Sequence, residues 1–513
     1  MKSISSCEIN LPQRFIERGI ILTEEAYVKF IEDAVSEDLI TEFIDNLNDS
    51  NIYIVTRDEY EDFFYPRIEA APNANPEEND DDVPSKEPRK SVSVKHYPAK
   101  DVESDIKIIR DASGKSDSEG KFDDFLSLFK DRYRRISKIF KEHAELRDFI
   151  SIKNAKTQEL KSHVKIVGMV LEKSITKKGN VILELEDLSG QTKVLILASK
   201  DRLRERSKYI IRDEVIGVSG VLGEDIIFVN DFQFPDVSLG RGKNRSEDDI
   251  NAIFTSDTHI GSNEFAEKSF LRFIKWLRQD TGNQKQRELA SKVKYMVIGG
   301  DVVDGIGIYP NQEKELKIRD IYKQYEETAR LLDFVPDWID IIIAPGNHDA
   351  TRSGNPQLPI PKMFAYDLYS RDNIHMVSNP SFFSLSGVKS LVYHGDSLFD
   401  FFSQIPGFTL EDPIGPMTEM IRKRHLAPNY GLGTQILPEV SDFLCIDDVP
   451  DIFHTGHTHI NGKGNYRGVT LLNSGGWQAQ TGFQRLRNIN PDVAKVPIVN
   501  LNTHNAVVMN FGG

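Results

Sequence analysis

Histidine, aspartate and asparagine residues are concentrated in five short clusters in the second half of the 513-residue chain. The clusters are Ser256-Asp257-Thr258-His259, Gly300-Asp301-Val302-Val303-Asp304, Gly346-Asn347-His348-Asp349, His394-Gly395-Asp396 and Gly456-His457-Thr458-His459. Carboxylates and imidazoles together favour Mn, Fe, Co or Zn over Ca or Mg, which prefer oxygen ligands alone. Two such cations held side by side neutralise a phosphate, activate water and stabilise a leaving oxygen. The clusters therefore predict a two-metal site that hydrolyses phosphate esters.

Each cluster follows an apolar run with the composition of a buried strand. These runs are 252–254, 295–298, 341–343, 391–393 and 451–453. Helical patterns such as 266–277 and 318–332 lie between them. In an open α/β sheet, the polar loops at the carboxyl ends of the strands converge on one site. Singly, Asp301 is explained as well by a helix cap and Asn347 by a turn. Five clusters in the same position favour a metal site.

The ordered set of clusters resembles the signature of calcineurin-like metallophosphoesterases, a superfamily that includes Mre11-like nucleases. The matching motifs are Asp257-x-His259, Gly300-Asp301-x-x-Asp304, Gly346-Asn347-His348-Asp349, Tyr393-His394-Gly395 and Gly456-His457-x-His459. The resemblance implies seven ligands for two divalent metal ions, with Mn²⁺ expected for activity and Fe, Zn or Co as alternatives. It assigns Asp257, His259 and His459 to one ion, and Asn347, His394 and His457 to the other, with Asp301 bridging them.

The same resemblance implies catalytic roles for three residues beside the metals. His348 is expected near the scissile phosphate, as a general acid or as a stabiliser of the transition state. Asp349 is expected to orient His348. Asp304 is expected to hold a metal ligand or a loop in place.

Three stretches around the last motifs, with the barrel-like pattern that precedes them, resemble the small subunits of archaeal family D DNA polymerases. The stretches are Leu426-Ala427-Pro428-Asn429-Tyr430-Gly431, 450–457 and Asn473-Ser474-Gly475-Gly476-Trp477-Gln478. The resemblance implies a metal-dependent 3′→5′ exodeoxyribonuclease that proofreads single-stranded or mismatched DNA 3′ ends within a polymerase holoenzyme. It also implies that the chain acts as a scaffold for the large catalytic subunit.

Three other functions are alternatives to a proofreading exonuclease. A non-catalytic scaffold, like the B-subunits of eukaryotic replicative polymerases, is disfavoured because every ligand position is filled. A stand-alone Mre11-like repair nuclease stays open. A protein phosphatase is disfavoured because the Ser/Thr phosphatases carry Arg and Glu where this chain has Gly305 and Asp349.

The sequence divides into segments of different pattern. Helical spacing predicts a small helical N-terminal module over residues 1–65, and a proline-containing acidic composition predicts a disordered linker over 66–120. A helix is predicted over 121–155. Alternating apolar residues predict the five strands of an OB-fold β-barrel over 160–238. Residues 248–513 are predicted to form an α/β phosphoesterase sandwich of the calcineurin-like type.

The net charge of −15 is unevenly distributed. Residues 1–120 carry 14 Lys and Arg against 28 Asp and Glu, which leaves 50 against 51 in the rest of the chain. A nearly neutral body provides little phosphate binding by itself. Much of the affinity for DNA is therefore expected to come from the metals and from a partner. The first three barrel strands contain no aromatic residue, which favours a packing or partner-binding barrel over a base-stacking one.

The sequence also indicates a cellular compartment. It contains no apolar run of about 18 residues and begins without the apolar stretch of a signal peptide. Its two cysteines, Cys7 and Cys445, lie far apart, which argues against a disulfide framework. An intracellular protein is expected, cytoplasmic and associated with the nucleoid.

Overall fold

The computed structural model describes residues 95–512 except 117, 487 and 488, together with six residues nearer the N-terminus. The chain forms two compact units, Met1–Val92 and Ser93–Gly513. In the first unit, β1 (Ile21–Leu22) pairs in parallel with β2 (Ile54–Val55). Apart from these strands and two single residues, the module predicted over 1–65 lies outside the described residues. Within the described part, no helix is long and apolar enough to span a bilayer.

The second unit begins with a short strand and a long helix, followed by five strands that close into a barrel. In chain order the elements are a 3-10 helix (Pro98–Asp101), β3 (Ile106–Arg110), α1 (Phe122–Phe140), α2 (Ile152–Lys156), β4 (His163–Ile175), β5 (Val181–Asp187), β6 (Gly190–Ile196), α3 (Asp201–Ser207), β7 (Val215–Leu222) and β8 (Ile226–Gln233). The barrel order is β4-β5-β6-β8-β7. Val181, Leu183 and Leu185 alternate along β5 and are buried. The five strands predicted within 160–238 are therefore present.

The rest of the unit is built on two six-stranded sheets. Its elements are β9 (Asn251–Thr255), α4 (Glu267–Leu277), α5 (Gln284–Ser291), β10 (Val293–Gly299), a 3-10 helix (Gln312–Lys314), α6 (Ile321–Leu332), β11 (Asp340–Ala344), α7 (Tyr366–Tyr369), β12 (Ile374–Met376), β13 (Ser381–Leu385), β14 (Val388–Val392), α8 (Leu398–Gln404), α9 (Ile414–Lys423), β15 (Ile452–Thr455), β16 (Gly462–Tyr466), β17 (Val469–Asn473), α10 (Gly482–Leu486), β18 (Lys495–Asn500) and β19 (Ala506–Asn510). One sheet has the order β12-β11-β10-β9-β18-β19 and the other β16-β17-β15-β14-β13-β3.

The two sheets pack face to face with helices outside them. Phe254 and Val297 of the first sheet share a buried cluster with Val392 and Leu472 of the second. On the outer face of the first sheet, α4 and α6 complete another apolar cluster. On the outer face of the second sheet, α9 does the same. The layers are therefore helix, sheet, sheet and helix, as expected for strands whose two faces are both apolar.

Parallel pairing fixes where the polar clusters lie. Strands β9, β10 and β11 are parallel to one another, and so are β14, β15 and β17. Parallel strands end at the same edge of their sheet, which is where open α/β sheets place their sites. Three clusters directly follow β9, β10 and β15, and the clusters at 346–349 and 394–396 begin two residues after β11 and β14.

Two predicted segments differ from the structure. The linker predicted over 66–120 is wrong for its last part, because Ile106–Arg110 forms β3 and pairs antiparallel with β13. The acidic composition of the whole segment predicted no strand there, although five residues suffice to extend the edge of a sheet. The helix predicted over 121–155 ends at Phe140. There the chain turns back, so that Leu146 packs in one buried cluster with Phe140 and Val167 of the barrel.

Buried ion pairs join the barrel and α1 to the sandwich. The Arg132 Nε of α1 donates to Asp442 Oδ2 at 2.7 Å, and neither side chain is more than 1% exposed. The Arg132 Nη1 also donates to the carbonyl oxygen of Pro428 at 2.6 Å. At the other side of the junction, Lys423 Nζ lies 2.8 Å from Glu214 Oε2, again out of solvent. Buried charges are tolerated only when paired in this way.

Candidate metal centre

The polar clusters meet in one site where loops of the two sheets come together. Asp257 and His259 follow β9, and His459 follows β15. The Nε2 atom of His459 lies 3.3 Å from Asp257 Oδ1 and 3.1 Å from His259 Nε2. All three side chains are buried, and their ligand atoms lie within 4.8 Å of one another. These three residues therefore form one of the two predicted ligand groups.

The second ligand group lies beside the first. The Nε2 atom of His394 lies 3.2 Å from Asn347 Oδ1 and 3.2 Å from His457 Nδ1. Asp301 Oδ2 lies 3.3 Å from His394 Nε2 and 3.7 Å from His259 Nε2, which belongs to the first group. A single carboxylate thus stands between the two groups. The structure brings together all seven residues that the sequence pointed to.

The spacing and orientation of these atoms fit metal ions. Nitrogen and oxygen ligands bind such ions at ~2.0–2.2 Å, so two ligands of one ion lie ~3.0–3.4 Å apart. The Nδ1 atom of His259 donates to Asp304 Oδ1 at 3.0 Å, and that of His394 donates to the carbonyl oxygen of Gly299 at 2.9 Å. Both rings are thereby fixed with Nε2 toward the site, as in metal-binding histidines. The donor set fits two cations.

The backbone at the ligands is unusual. Five of the seven have positive φ angles, which are 52° at Asp257, 47° at His259, 50° at Asp301, 68° at His457 and 57° at His459. Side-chain-bearing residues seldom adopt this region, and each instance costs about 1–3 kcal/mol. Such strain persists where function requires it. Among the described residues, fifteen non-glycine positions have positive φ angles, and five of them are predicted ligands of this one site.

Two glycines let the ligand loops approach one another. Gly300 has a φ of 99°, and a Cβ there would overlap Nδ1 of His394. A Cβ at Gly346 would overlap Asp301 Oδ1. Both positions therefore require glycine for a steric reason, and the site could not close around larger residues.

Asp304 lies behind the ligands and contacts one of them. Its Oδ1 accepts hydrogen bonds from His259 Nδ1 at 3.0 Å and from Gln478 Nε2 at 2.9 Å. Its Oδ2 accepts from Gln312 Nε2 at 3.1 Å. The carboxylate is fully buried. This arrangement orients the His259 ring, which is the holding role that the sequence predicted. Burial lowers the pKa of His259, and the hydrogen bond to Asp304 acts against that shift.

We expect Asp304→Asn to weaken metal binding about 10- to 100-fold, the usual effect of losing a carboxylate behind a ligand histidine. The amide would place a donor against Gln312 Nε2 and would withdraw charge from His259. Titration of the metal-free protein with Mn²⁺ by calorimetry measures the effect. Glu313→Gln, an exposed substitution on the same loop, is the control. Unchanged Mn²⁺ affinity in Asp304→Asn would contradict this role.

His348 and Asp349 have different partners from those predicted. The Nδ1 atom of His348 donates to the carbonyl oxygen of Asp304 at 2.7 Å. The carboxylate of Asp349 instead accepts from the amide of Gly346 at 2.8 Å and from the hydroxyl of Tyr325 at 3.0 Å. It is 5% exposed, and burial with Asp301 nearby raises its pKa to about 6. The Asp349 carboxylate also accepts from the amide of Val302 at 3.2 Å, so it ties the loop of Gly346 to the loop of Asp301. The Asp304 carbonyl orients His348.

The acidic and histidine side chains of the site lie close together and shift one another's pKa. Burial acts to lower the pKa of His394, but the facing Asp301 outweighs it and holds this pKa well above its usual range. Burial acts to raise the pKa of Asp301, but His394 and His348 hold it well below its usual range. Burial, with His394 alongside, lowers the pKa of His457 to about 4. Cations compete with a proton on His394, so metal affinity is expected to fall as pH falls.

Sequence reasoning did not identify two glutamines that hold the ligands. Gln484 Nε2 lies 2.9 Å from His459 Nδ1, and Gln478 binds Asp304 as described. Gln478 lies in a loop and Gln484 in the short helix α10, both after the last cluster, and no spacing rule marks them. His454 is fully buried and bonds through Nε2 to Ser474 Oγ at 2.9 Å. Burial lowers its pKa to about 3, so His454 is neutral.

Comparison with known proteins places the chain in a class. The family model of the DNA polymerase alpha/epsilon B-subunit matches residues 252–461, which carry all seven ligands. The DNA polymerase II small subunit of Methanothermobacter thermautotrophicus is 39% identical over 95% of this chain and 97% of that protein. The corresponding protein of Pyrococcus furiosus is 36% identical over 99% of this chain and 84% of that protein. The corresponding protein of Archaeoglobus fulgidus is 41% identical over 77% of this chain and 78% of that protein.

Residues 252–461 are thus similar to the B subunits of DNA polymerases alpha and epsilon. The chain belongs to the family of archaeal DNA polymerase II small subunits. The resemblance to the small subunits of archaeal DNA polymerases is thereby confirmed.

Proposed function

We propose that this chain is the proofreading subunit of an archaeal replicative DNA polymerase, a two-metal 3′→5′ exonuclease that also binds the large catalytic subunit. The observation that carries the proposal is the convergence of seven metal ligands around Asp301. A subunit that served only as a scaffold would have no need of strained backbone at five ligands. The catalytic function is therefore favoured over a non-catalytic scaffold.

The architecture supports the same proposal. Two facing sheets flanked by helices, with ligands in the loops at the strand ends, are the features of a calcineurin-like phosphoesterase sandwich. The closed five-stranded barrel before it corresponds to an OB-fold. We assign 160–238 to the OB-fold domain and 248–513, together with β3, to the phosphoesterase domain.

The site residues divide the chemical work between them. Divalent cations, Mn²⁺ in the first place, would neutralise the phosphodiester and activate water. The Asp257 and His259 group and the His394 and His457 group would hold them on either side of Asp301. His348 has 15% of its side chain exposed and its Nδ1 bonded, so Nε2 can reach a bound phosphodiester. It would act as general acid or would stabilise charge on the phosphate.

The partner follows from the same proposal. The relatives are named as small subunits, and the large catalytic subunit of the polymerase is the expected partner. The nearly equal numbers of basic and acidic residues in 121–513 limit the DNA affinity of this chain alone. We expect co-purification with a large DNA polymerase subunit. Full nuclease activity in extracts without such a partner would favour the stand-alone repair nuclease.

The direct test is degradation of a 5′-labelled primer with a paired or mismatched 3′ end. In Mn²⁺ the purified protein is expected to shorten the strand from its 3′ end, faster at a mismatch because unpaired bases reach the site at lower cost. EDTA should abolish the reaction, and Mn²⁺ should restore it. A protein that leaves every primer intact in Mn²⁺, yet still binds its large partner, is a scaffold. Release of inorganic phosphate alone would indicate a phosphatase.

A further inference from the structure

An exposed phenylalanine borders the metal centre. Phe399, the second residue of α8, retains 36% of its surface exposed. Its ring meets the ring of the predicted ligand His457 edge to face, with 5.2 Å between centroids and an interplanar angle of 88°. On its other flank it meets Phe402 at 5.9 Å. An aromatic surface therefore lies beside the ligand group of His394 and His457.

The helix that carries Phe399 is firmly anchored. Leu398 and Phe401, its neighbours on α8, are buried in the apolar cluster outside the second sheet. The carboxylate of Asp400 accepts hydrogen bonds from the amides of Gly433 at 3.0 Å and Thr434 at 3.1 Å. These neighbours are held by the fold, whereas Phe399 keeps an exposed face. The position of Phe399 is therefore set by the fold and not by a mobile loop.

An aromatic surface of this kind can bind one part of the proposed DNA substrate, which is a base. A flat apolar ring beside a phosphate-binding centre can stack on a base, and every base offers a suitable face. Cations bound at the site would hold the backbone phosphate, but they make no use of the base. Since proofreading must remove any nucleotide, a contact without sequence preference suits it.

We propose that Phe399 stacks on a base of the DNA strand next to the phosphate being cut. This proposal rests on the proposed nuclease function. It assigns to Phe399 a positioning role, in which the ring fixes the strand end while the ligands and His348 act on the phosphate. The alternatives are that Phe399 only supports the His457 ring, or that it is a contact for the large subunit.

The test compares Phe399→Ala and Phe399→Trp with the unaltered protein. The substrates are single-stranded 5′-labelled oligonucleotides with natural bases, or with an abasic unit on either side of the scissile bond. Stacking predicts that Phe399→Ala lowers kcat/KM about 10-fold on natural strands, the effect of one base–aromatic contact. Where the abasic unit replaces the stacked base, the two proteins should be equal. Phe399→Trp should retain activity. Tyr366→Ala removes an aromatic that is 65% exposed on α7, and it serves as the control.

A binding measurement complements the kinetics. In EDTA, and at a protein concentration that saturates the strand, 2-aminopurine at the stacked position should lose fluorescence on binding the unaltered protein and Phe399→Trp, but not Phe399→Ala. This readout needs neither metal nor turnover. If the unaltered protein cuts no strand at all, the nuclease proposal fails, and the fluorescence still decides whether Phe399 stacks on a base.

Two results would overturn the proposal. Equal losses on natural and abasic strands, with less Mn²⁺ bound, would show that Phe399 merely supports His457. Full activity and unchanged fluorescence quenching in Phe399→Ala, with weaker binding to the large subunit, would show that the ring is a protein contact.

Discussion

Asp301→Ala is expected to lower the proposed exonuclease activity at least about 10³-fold, because two bound cations would contribute several kcal/mol to the transition state and both would depend on this carboxylate. Asp301 Oδ2 is the one predicted carboxylate ligand placed between the two groups, 3.3 Å from His394 Nε2 and 3.7 Å from His259 Nε2. The measurement is single-turnover degradation of a mismatched primer in saturating Mn²⁺. Metal content by elemental analysis should fall in parallel.

The fold should survive this substitution. Removal of Asp301 also removes a buried negative charge that faces several histidines, and it leaves the apolar clusters of both sheets unchanged. An unchanged far-ultraviolet circular dichroism spectrum would establish that the loss is local. Asp372→Ala, at an exposed carboxylate on another loop, should retain full activity. Undiminished nuclease activity in Asp301→Ala would refute the two-metal mechanism.

Arg132→Met is expected to cost about 3–5 kcal/mol of unfolding free energy, because it leaves Asp442 buried without its cation. Besides its ion pair with Asp442, the guanidinium donates to the carbonyl oxygens of Asp213 at 3.1 Å and Pro428 at 2.6 Å. His425, which bonds to the same carboxylate, cannot replace the charge at neutral pH, since burial lowers its pKa to about 4. Chemical denaturation followed by fluorescence measures the loss.

The chain offers a matched control for this experiment. Arg134→Met changes an exposed arginine two residues further along α1 and should shift stability by less than about 0.5 kcal/mol. Arg132→Met combined with Asp442→Leu should recover part of the loss, because no unpaired charge then stays buried. A loss of under about 1 kcal/mol in Arg132→Met would mean that the pair adds little to the junction.

The convergence of the predicted ligands could be foreseen from the sequence because the signal that marks them is local. Asp257 and His259 lie two residues apart at the end of one apolar strand, and His457 and His459 repeat that spacing on another. Parallel strands then bring separate clusters to one edge without any further information. The same reasoning predicted that Asp304 would lie behind a ligand, and the structure places it against His259.

The partners of the ligands were not predictable because they depend on tertiary contacts. Asp349 is adjacent to His348 in sequence, yet its carboxylate turns to Tyr325 on α6 and to the amide of Gly346. Gln484 reaches His459 from the short helix α10, 25 residues away. The pairing of β3 also depends on a strand far along the chain, whereas composition averages over neighbours only.

The pairing of β3 with β13 makes the barrel an insertion within the sandwich and not a separate domain that precedes it. Both chain connections of the barrel lead into the same sandwich, one through α1 and β3 and the other into β9. During synthesis, β3 leaves the ribosome roughly 270 residues before its partner strand. The sheet edge can therefore close only late, and a shortened chain that begins after Arg110 would expose the unpaired amides of β13 as a site for aggregation.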